Sequence, residues 1–272
     1  MSETQPFSFR LLDDLMLLPP QNVARALAGL GSVVSVEAGP VVEYALHQRE
    51  RHSELPDIGK LVIGSIADAV NKAIARNGQF DPQSTTSLGA FQCEFTPLAE
   101  KSSASLLLWR AFTHRLANAA HAAGFDKPTS KGLAGAFGEL EDNARTHSER
   151  PETAVVGYRW SSGEFEMIVG DAGVGVMQSL RSNREYQTLT DHGEAIRTAL
   201  SSGETRFGRG SGHGTGFDTV FRTMASMHGK LRFRSGDQSL ELEGLSPSLI
   251  NSKLKQRRHF QGFVASVTCR PK

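Results

Sequence analysis

The sequence has little cysteine, almost no net charge and no long apolar run. Only Cys93 and Cys269 are present in 272 residues, which argues against a disulfide framework or a multi-cysteine metal site and fits a reducing cytoplasm. Lysine and arginine total 30 against 29 aspartate and glutamate, so the positive charge typical of a duplex nucleic-acid binder is missing. No stretch approaches the roughly 18 apolar residues that span a bilayer, and the N-terminus lacks a signal-peptide pattern. We therefore expect a cytoplasmic protein with no membrane partner and no indicated nucleic-acid partner.

A change of composition predicts two domains. Residues 78–90 concentrate Gly, Pro, Ser and Thr between two periodic regions, which is typical of a linker. We place the boundary there, with an N-terminal region at 1–88 and a second domain at 89–272. The first region is predicted to contain a short strand at 32–38 and helices at 41–52 and 58–77, and it holds no chemical motif.

The second domain is predicted to combine grouped helices with mostly antiparallel strands. Helices are expected at 102–124, 129–147, 191–201 and 216–228. Strands are expected at 91–96, 153–160, 164–170 and 262–269, with a further strand pair turning at Gly236 and Asp237. This order indicates an α+β fold, a two-layer α/β sandwich with a mixed, mostly antiparallel sheet and its helices on one face.

The helix at 129–147 carries the first candidate site. Its apolar stripe is predicted to comprise Leu133, Ala136, Phe137, Leu140 and Ala144, and its solvated side Glu141, Asp142 and Arg145. Glu139, Asn143 and His147 follow one edge of the stripe. Asn143 offers a neutral oxygen suited to Mg²⁺, and Glu139 is placed to orient or deprotonate a water. The alternative is an ordinary solvated helix flank.

Two glycine turns form the second and third candidate sites. Asp171 ends an apolar strand and is followed by Gly173 and Gly175, so its carboxylate is placed to accept from the exocyclic amine of adenine; the alternative is a plain turn. Further along, a glycine loop leads into a predicted helix, whose amides favour phosphate binding; a flexible loop is the alternative. The loop residues are Gly210, Gly212, His213, Gly214, Thr215 and Gly216. Arg206 and Arg209, with His213, are candidates for contact with a γ-phosphate.

Taken in order, ExxxN at Glu139 and Asn143, DxGxG at Asp171–Gly175 and GxGxG at Gly212–Gly216 resemble the GHKL superfamily. This superfamily comprises the ATPases of gyrase, the ninety-kilodalton heat-shock chaperone, histidine kinases and MutL, and the resemblance covers residues 90–272. It implies a Bergerat-type ATP-binding fold with Glu139 as general base, Asn143 as magnesium ligand, Asp171 as adenine reader and a lid at 176–209. The run from 91 to 147 looks most like the anti-sigma-factor serine kinases.

Some residues depart from that pattern. Phe263 stands where many relatives carry Thr, which leaves the adenine contact from the last strand unassigned, with Thr268 a weaker substitute. His114 lies 29 residues before Asn143, too close for the separate phosphoacceptor hairpin of a histidine kinase. The basic run Lys253, Lys255, Arg257 and Arg258 is expected in a solvated connection, and contact with an acidic partner is the alternative.

The resemblance implies ATP and Mg²⁺ as cofactors and a regulatory role. We expect the chain to hydrolyse ATP or to phosphorylate a protein partner as a serine/threonine kinase. Two alternatives stay open at this point. One is a nucleotide-gated switch that binds a partner with little turnover, and the other is an ATP-driven homodimer clamp.

Overall fold

The computed structural model describes residues 5–30, 32–34, 37–51, 54–57, 65–75, 86–88, 91–97, 103–201, 227–244 and 252–272. Within these ranges the chain forms eight α-helices and eight strands. None of these helices is long and apolar enough to cross a membrane.

The N-terminal part is mainly helical, as expected. Its elements are β1 (Gln5–Pro6), α1 (Phe9–Met16), α2 (Pro20–Gly29), β2 (Val33–Val34), α3 (Gly39–Arg51) and α4 (Ser65–Ala75). The helix predicted at 41–52 is confirmed, and α4 covers the described part of the helix predicted at 58–77. Within the strand predicted at 32–38, Val33 and Val34 form β2, which pairs in parallel with β1.

The remaining elements build the sheet and its covering helices. They are β3 (Thr86–Leu88), β4 (Phe91–Pro97), α5 (Ser103–Ala122), α6 (Lys127–His147), β5 (Val155–Ser161), β6 (Glu164–Asp171), α7 (Gly175–Arg181), α8 (His192–Leu200), β7 (His228–Gly244) and β8 (Lys253–Arg270). The sheet has the order β3-β4-β5-β6-β8-β7, and all its neighbours are antiparallel. The predicted α+β class is confirmed. Because β3 pairs with β4, the sheet begins before the expected boundary at residue 88.

Two predictions about the end of the chain are wrong. Gly236 and Asp237 do not form a hairpin turn, because β7 continues through them and the register against β8 shifts at Gly236. Gly236 has a φ of 59°, as a glycine at a β-bulge can, and such a bulge gives the same local Gly-Asp signal as a turn. The basic run at 253–258 is likewise part of β8 and not a connection.

One face of the sheet, the inner face, is covered by α5 and α6. Helix α6 begins after Asp126, whose side chain accepts from the Thr129 amide at 2.7 Å and so satisfies a free helix N–H. Phe112 from α5 and Phe137 from α6 are fully buried against Tyr158 and Phe165 of the sheet. The inner face is therefore closed by apolar and aromatic packing.

The other face, the outer face, is covered by the N-terminal helices. Alternate residues of a strand point to opposite faces, and along β6 Met167 joins the inner core while Ile168 joins the N-terminal core. Val264 of β8 also packs into the N-terminal core. The molecule therefore has a third layer, so the expected two-layer sandwich with helices on one face describes only its inner half.

Buried charges attach this third layer to the sheet. Glu166 of β6 accepts from the amides of Ala38 and Gly39 at 2.9 and 2.7 Å, and thus caps the N-terminus of α3. Glu166 also accepts from Arg159 Nε at 3.0 Å. Helix α3 is therefore held by a carboxylate more than 120 residues away in sequence.

A second ion-pair network, centred on Arg232 of β7, joins the same layers. Its guanidinium donates to Glu43 of α3, with Nε to Oε2 at 3.0 Å, and to Asp13 of α1, with Nη2 to Oδ1 at 2.6 Å. It also lies 4.4 Å from the centroid of the Phe9 ring. Burial opposes ionisation of Glu43, but Arg232 and Arg234 hold its pKa below the usual range. The network therefore keeps a buried carboxylate charged between the layers.

Candidate functional site

Helix α6 presents the first motif much as the sequence predicts. Its expected apolar stripe is fully buried. Asn143 and His147 are half-buried beside the stripe, whereas Glu139 is exposed one turn earlier. With a rise of about 1.5 Å per residue, Asn143 lies about 6 Å from each of them along the helix axis. An exposed carboxylate and a half-buried amide thus share one edge of the helix.

One residue of this helix, Glu141, does not lie where the sequence predicts. Glu141 is predicted on the solvated side but is only 6% exposed. It accepts from Arg145 Nε at 2.7 Å, one helical turn away. This paired guanidinium allows the carboxylate to be buried, which a pattern based on hydropathy alone does not predict.

The second motif has a buried carboxyl group at its centre. Asp171 ends β6, is 1% exposed, and accepts through Oδ1 from the Gly173 amide at 2.7 Å. Burial raises the pKa of Asp171 to about 7, against the opposing effects of the Gly173 and Phe263 amides and of Arg150. Even so, Oδ2 has no hydrogen-bond partner among the described residues. A buried oxygen left unsatisfied is costly, so it is a candidate acceptor for a ligand.

The first two motifs lie against each other. The Val174 amide donates to the carbonyl oxygen of Ser148 at 2.9 Å, directly after the end of α6. A Cβ atom on Gly173 would lie 2.2 Å from that same oxygen, so only glycine permits this approach. His147 Nδ1 also lies 3.5 Å from Ser179 Oγ of α7. The turn after β6 and the C-terminal end of α6 therefore form one unit.

Two further glycines have packing roles, Gly175 in this turn and Gly262 on the neighbouring strand β8. Gly175 has a φ of 76°, and a Cβ there would lie 3.1 Å from Ser235 Oγ. A Cβ on Gly262 would lie 2.1 Å from the Asp171 carbonyl oxygen. Close packing within the chain thus explains the glycines at 173 and 175, and their predicted contact with nucleotide stays a prediction.

The connection between α6 and β5 contains site residues that the sequence reasoning missed. Thr153 Oγ1 accepts from the Ala172 amide at 3.0 Å, and Arg150 Nη1 donates to the Ala172 carbonyl at 3.3 Å. The available signal was a Pro151 flanked by Ser, Arg and Thr, which indicates a turn but not what the turn contacts. These residues hold the main chain beside Asp171 from both sides.

The described part of the predicted lid is helical and packed. It contains α7, a 3₁₀ turn at Arg184–Tyr186 and α8, with a small core formed by Leu180, Leu189 and Ala195. The expected helix at 191–201 is confirmed as α8, and its Ile196 packs into the inner core. Residues 176–201 are therefore attached to the sheet.

The third motif lies outside the described residues. This applies to the loop at 210–216, to Arg206 and Arg209, and to nearly all of the helix predicted at 216–228. The structure consequently does not test the predicted phosphate cradle.

The last strand supplies an aromatic residue where the resemblance would place Thr. Phe263 pairs with Asp171 across the sheet, is 7% exposed and stacks on Phe233 at 5.5 Å between ring centroids. Thr268 pairs with Glu166 instead, about 17 Å along the strand from Phe263 at the usual rise. Thr268 is therefore not a substitute for the missing Thr.

His114 has the surface position that the sequence indicates. It is exposed on α5, and its Nδ1 lies 3.2 Å from Asn118 Nδ2.

The described residues contain no group of three or more His, Cys, Asp or Glu side chains that would hold a metal ion. Magnesium in nucleotide sites usually takes few protein ligands and keeps waters and phosphates. A role for Asn143 in binding Mg²⁺ thus depends on a bound nucleotide. Comparison of the chain with protein-family models, with curated proteins and with solved structures finds no match.

Proposed function

We propose that the chain is an ATP- and Mg²⁺-dependent regulatory protein of the GHKL type. It hydrolyses ATP or transfers the γ-phosphate to a hydroxyl of a protein partner. The observation that carries this proposal is the Asp171 carboxyl group, with one buried oxygen that has no partner in the described chain. An exocyclic amino group of adenine supplies the donor that this oxygen lacks.

The position of the Asn-bearing helix supports the same function. The end of α6 contacts the Asp171 turn through the Val174 amide and the Ser148 carbonyl, at 2.9 Å. A ligand whose base meets Asp171 would have its phosphates near the edge that carries Asn143 and Glu139. We assign Asn143 as the magnesium ligand, and the ion would neutralise charge on the phosphates.

Glu139 is assigned as the general base. Its exposure leaves it accessible to a water or a partner hydroxyl, which a buried carboxylate would not be. The attacking oxygen bonds to the γ-phosphorus, its proton passes to Glu139, and the bond to the bridging oxygen breaks to release ADP.

Replacement of Glu139 tests the catalytic part of the proposal. We expect Glu139→Ala to lose at least about 100-fold in ATP turnover while it keeps nucleotide affinity, because general-base catalysis contributes about that much. Asp142→Ala is the matched control, since Asp142 is another exposed acid on the same helix. Unchanged turnover in Glu139→Ala would remove Glu139 from the mechanism.

A second candidate function, a nucleotide-gated switch, is supported by the packing of the N-terminal helices. Ala172, next to Asp171, belongs to the same hydrophobic core as α3. A Cβ on Gly170 would lie 2.7 Å from Leu46 of α3, so this helix rests directly on the strand that leads to the site. If the chain is such a switch, ATP binding should change amide-exchange protection in α3. The change should also occur in Glu139→Ala, because the switch requires binding and not turnover. Equal protection with and without ATP would contradict it.

A further inference from the structure

Residues 148–153, here called the clasp, surround the main chain next to Asp171. The Ala172 amide donates to Thr153 Oγ1 at 3.0 Å, and the Ala172 carbonyl accepts from Arg150 Nη1 at 3.3 Å. The Thr153 hydroxyl donates in turn to the Arg150 carbonyl at 2.7 Å. Both polar groups of the residue that follows Asp171 are thus bonded to one short connection.

The clasp is itself held in an unusual conformation. Glu149 has a φ of 58°, which residues other than glycine rarely adopt. Such a conformation persists when surrounding contacts impose it, and here the Arg150 amide donates to Ser148 Oγ at 3.2 Å. Thr153 is 1% exposed, so its hydroxyl cannot exchange these bonds for water. The contacts therefore fix the position of the main chain that carries Asp171.

Arg150 also supplies charge. It is the charged residue whose field opposes the effect of burial on the pKa of Asp171. Its side chain is 54% exposed, and its Nε lies 3.6 Å from the exposed carboxylate of Glu152. The effect of Arg150 on Asp171 is consequently screened by solvent and modest.

We infer that Thr153 and Arg150 are positioning residues for base recognition by Asp171. Thr153 sets the direction of the carboxyl group through Ala172, and Arg150 favours its ionised, acceptor-only form. Selection of adenine over a base with a carbonyl in place of the amino group then depends on the clasp. This inference rests on the proposed function, because it assumes that the ligand at Asp171 is ATP.

The test compares the binding of ATP and inosine triphosphate, which carries a carbonyl where adenine has the amino group. We expect Thr153→Val to weaken ATP binding about tenfold, the effect of losing the aligned hydrogen bond between the amino group and Asp171, and to change the binding of inosine triphosphate little. Thr153→Ser keeps the hydroxyl and should retain the ATP preference. A purely structural role would lower both affinities together and would overturn the inference.

Arg150 allows a second test, in which the substituted side chain is exposed and its replacement is not expected to disturb packing. In Arg150→Gln the pH midpoint of ATP binding should move upward by a few tenths of a pH unit, while Arg150→Lys keeps it. An unmoved midpoint in Arg150→Gln, or an unchanged ATP preference in Thr153→Val, contradicts the inference alone. Failure of the wild-type chain to bind either nucleotide contradicts the proposed function itself.

Discussion

The two faces of the sheet are closed by different chemistry. On the inner face, Phe112 and Phe137 pack with their ring centroids 5.7 Å apart in a core built of apolar side chains. On the outer face, the N-terminal helices also bring apolar residues, but Arg232, Glu43 and Glu166 lie buried among them. The same sheet thus has one apolar interface and one that is partly ionic.

The difference indicates what each face requires from its covering layer. Apolar packing tolerates changes of similar volume, whereas a buried ion pair requires its particular partner at a particular place. The outer layer is therefore held in one position relative to β6 and β7. By contrast with these paired carboxylates, Asp171 at the end of β6 is buried, and no cation in the described chain pairs with it directly.

The largest expected effect comes from Arg232. We expect Arg232→Met to destabilise the chain by about 3–5 kcal/mol, because buried Glu43 and half-buried Asp13 then lack their main cation. Phe137→Ala on the inner face should cost a similar amount, about 3–5 kcal/mol, through a cavity. Urea unfolding measures both.

A double mutant separates these two mechanisms. Adding Glu43→Gln should restore part of the stability lost in Arg232→Met, whereas adding it to Phe137→Ala should not. Additive losses in both combinations would show that the outer face is not held by this ion pair.

Removal of the charge of Glu166 should have the next largest effect. Glu166→Gln weakens the bonds to the Ala38 and Gly39 amides and to Arg159, and we expect a loss of about 2 kcal/mol. Amide exchange should increase at the start of α3. Glu164→Gln is the control, because Glu164 pairs with Arg159 and Arg270 but does not cap a helix. Equal loss of protection in α3 in the two variants would contradict the capping role.

Asp171 should make stability depend on pH in the absence of nucleotide. Its pKa is raised from 3.8 to about 7 by burial, so the folded chain binds this proton more tightly than the unfolded chain. The stabilisation is complete below pH 4 and is lost as the pH rises to about 7. Relative to wild type, Asp171→Asn should therefore gain about 2.5 kcal/mol in free energy of unfolding between pH 5 and pH 8. A difference that does not vary with pH would contradict this environment for Asp171.

The smallest expected effect concerns Cys269, whose thiol should not react with a thiol reagent in the folded chain. Burial raises the pKa of this thiol to about 12. In a Cys93→Ser variant at pH 8, a thiol reagent should modify Cys269 only as fast as the chain unfolds. Rapid modification of the folded protein would show that the inner face opens where the structure closes it.

The sequence predicts local features of this fold better than distant contacts. The helical period along α6 correctly selects Leu133, Phe137 and Leu140 as core, since burial there follows from spacing along one helix. Burial of Glu141 could not be predicted in the same way, because it depends on the pairing with Arg145. The Gly-Asp signal at 236 was misread because turns and bulges use the same residues.

At the candidate site, too, contacts between distant segments could not be predicted from the sequence. Asp171 and the glycines after it are visible as a motif, but the contact of Gly173 with Ser148 appears only once α6 and β6 are placed together. Thr153 has no motif of its own. Nor does hydropathy predict that Glu166 caps a helix 127 residues earlier in the chain.

Calorimetric titration of ATP with Mg²⁺ at pH 8 tests the central claim most directly. The account predicts a single saturable site in the wild-type chain and strongly weakened uptake by folded Asp171→Asn, because an amide has one acceptor oxygen whereas Asp171 needs one for the Gly173 amide and one for adenine. Absence of ATP binding by the wild-type protein, or equal binding by the two proteins, would contradict it.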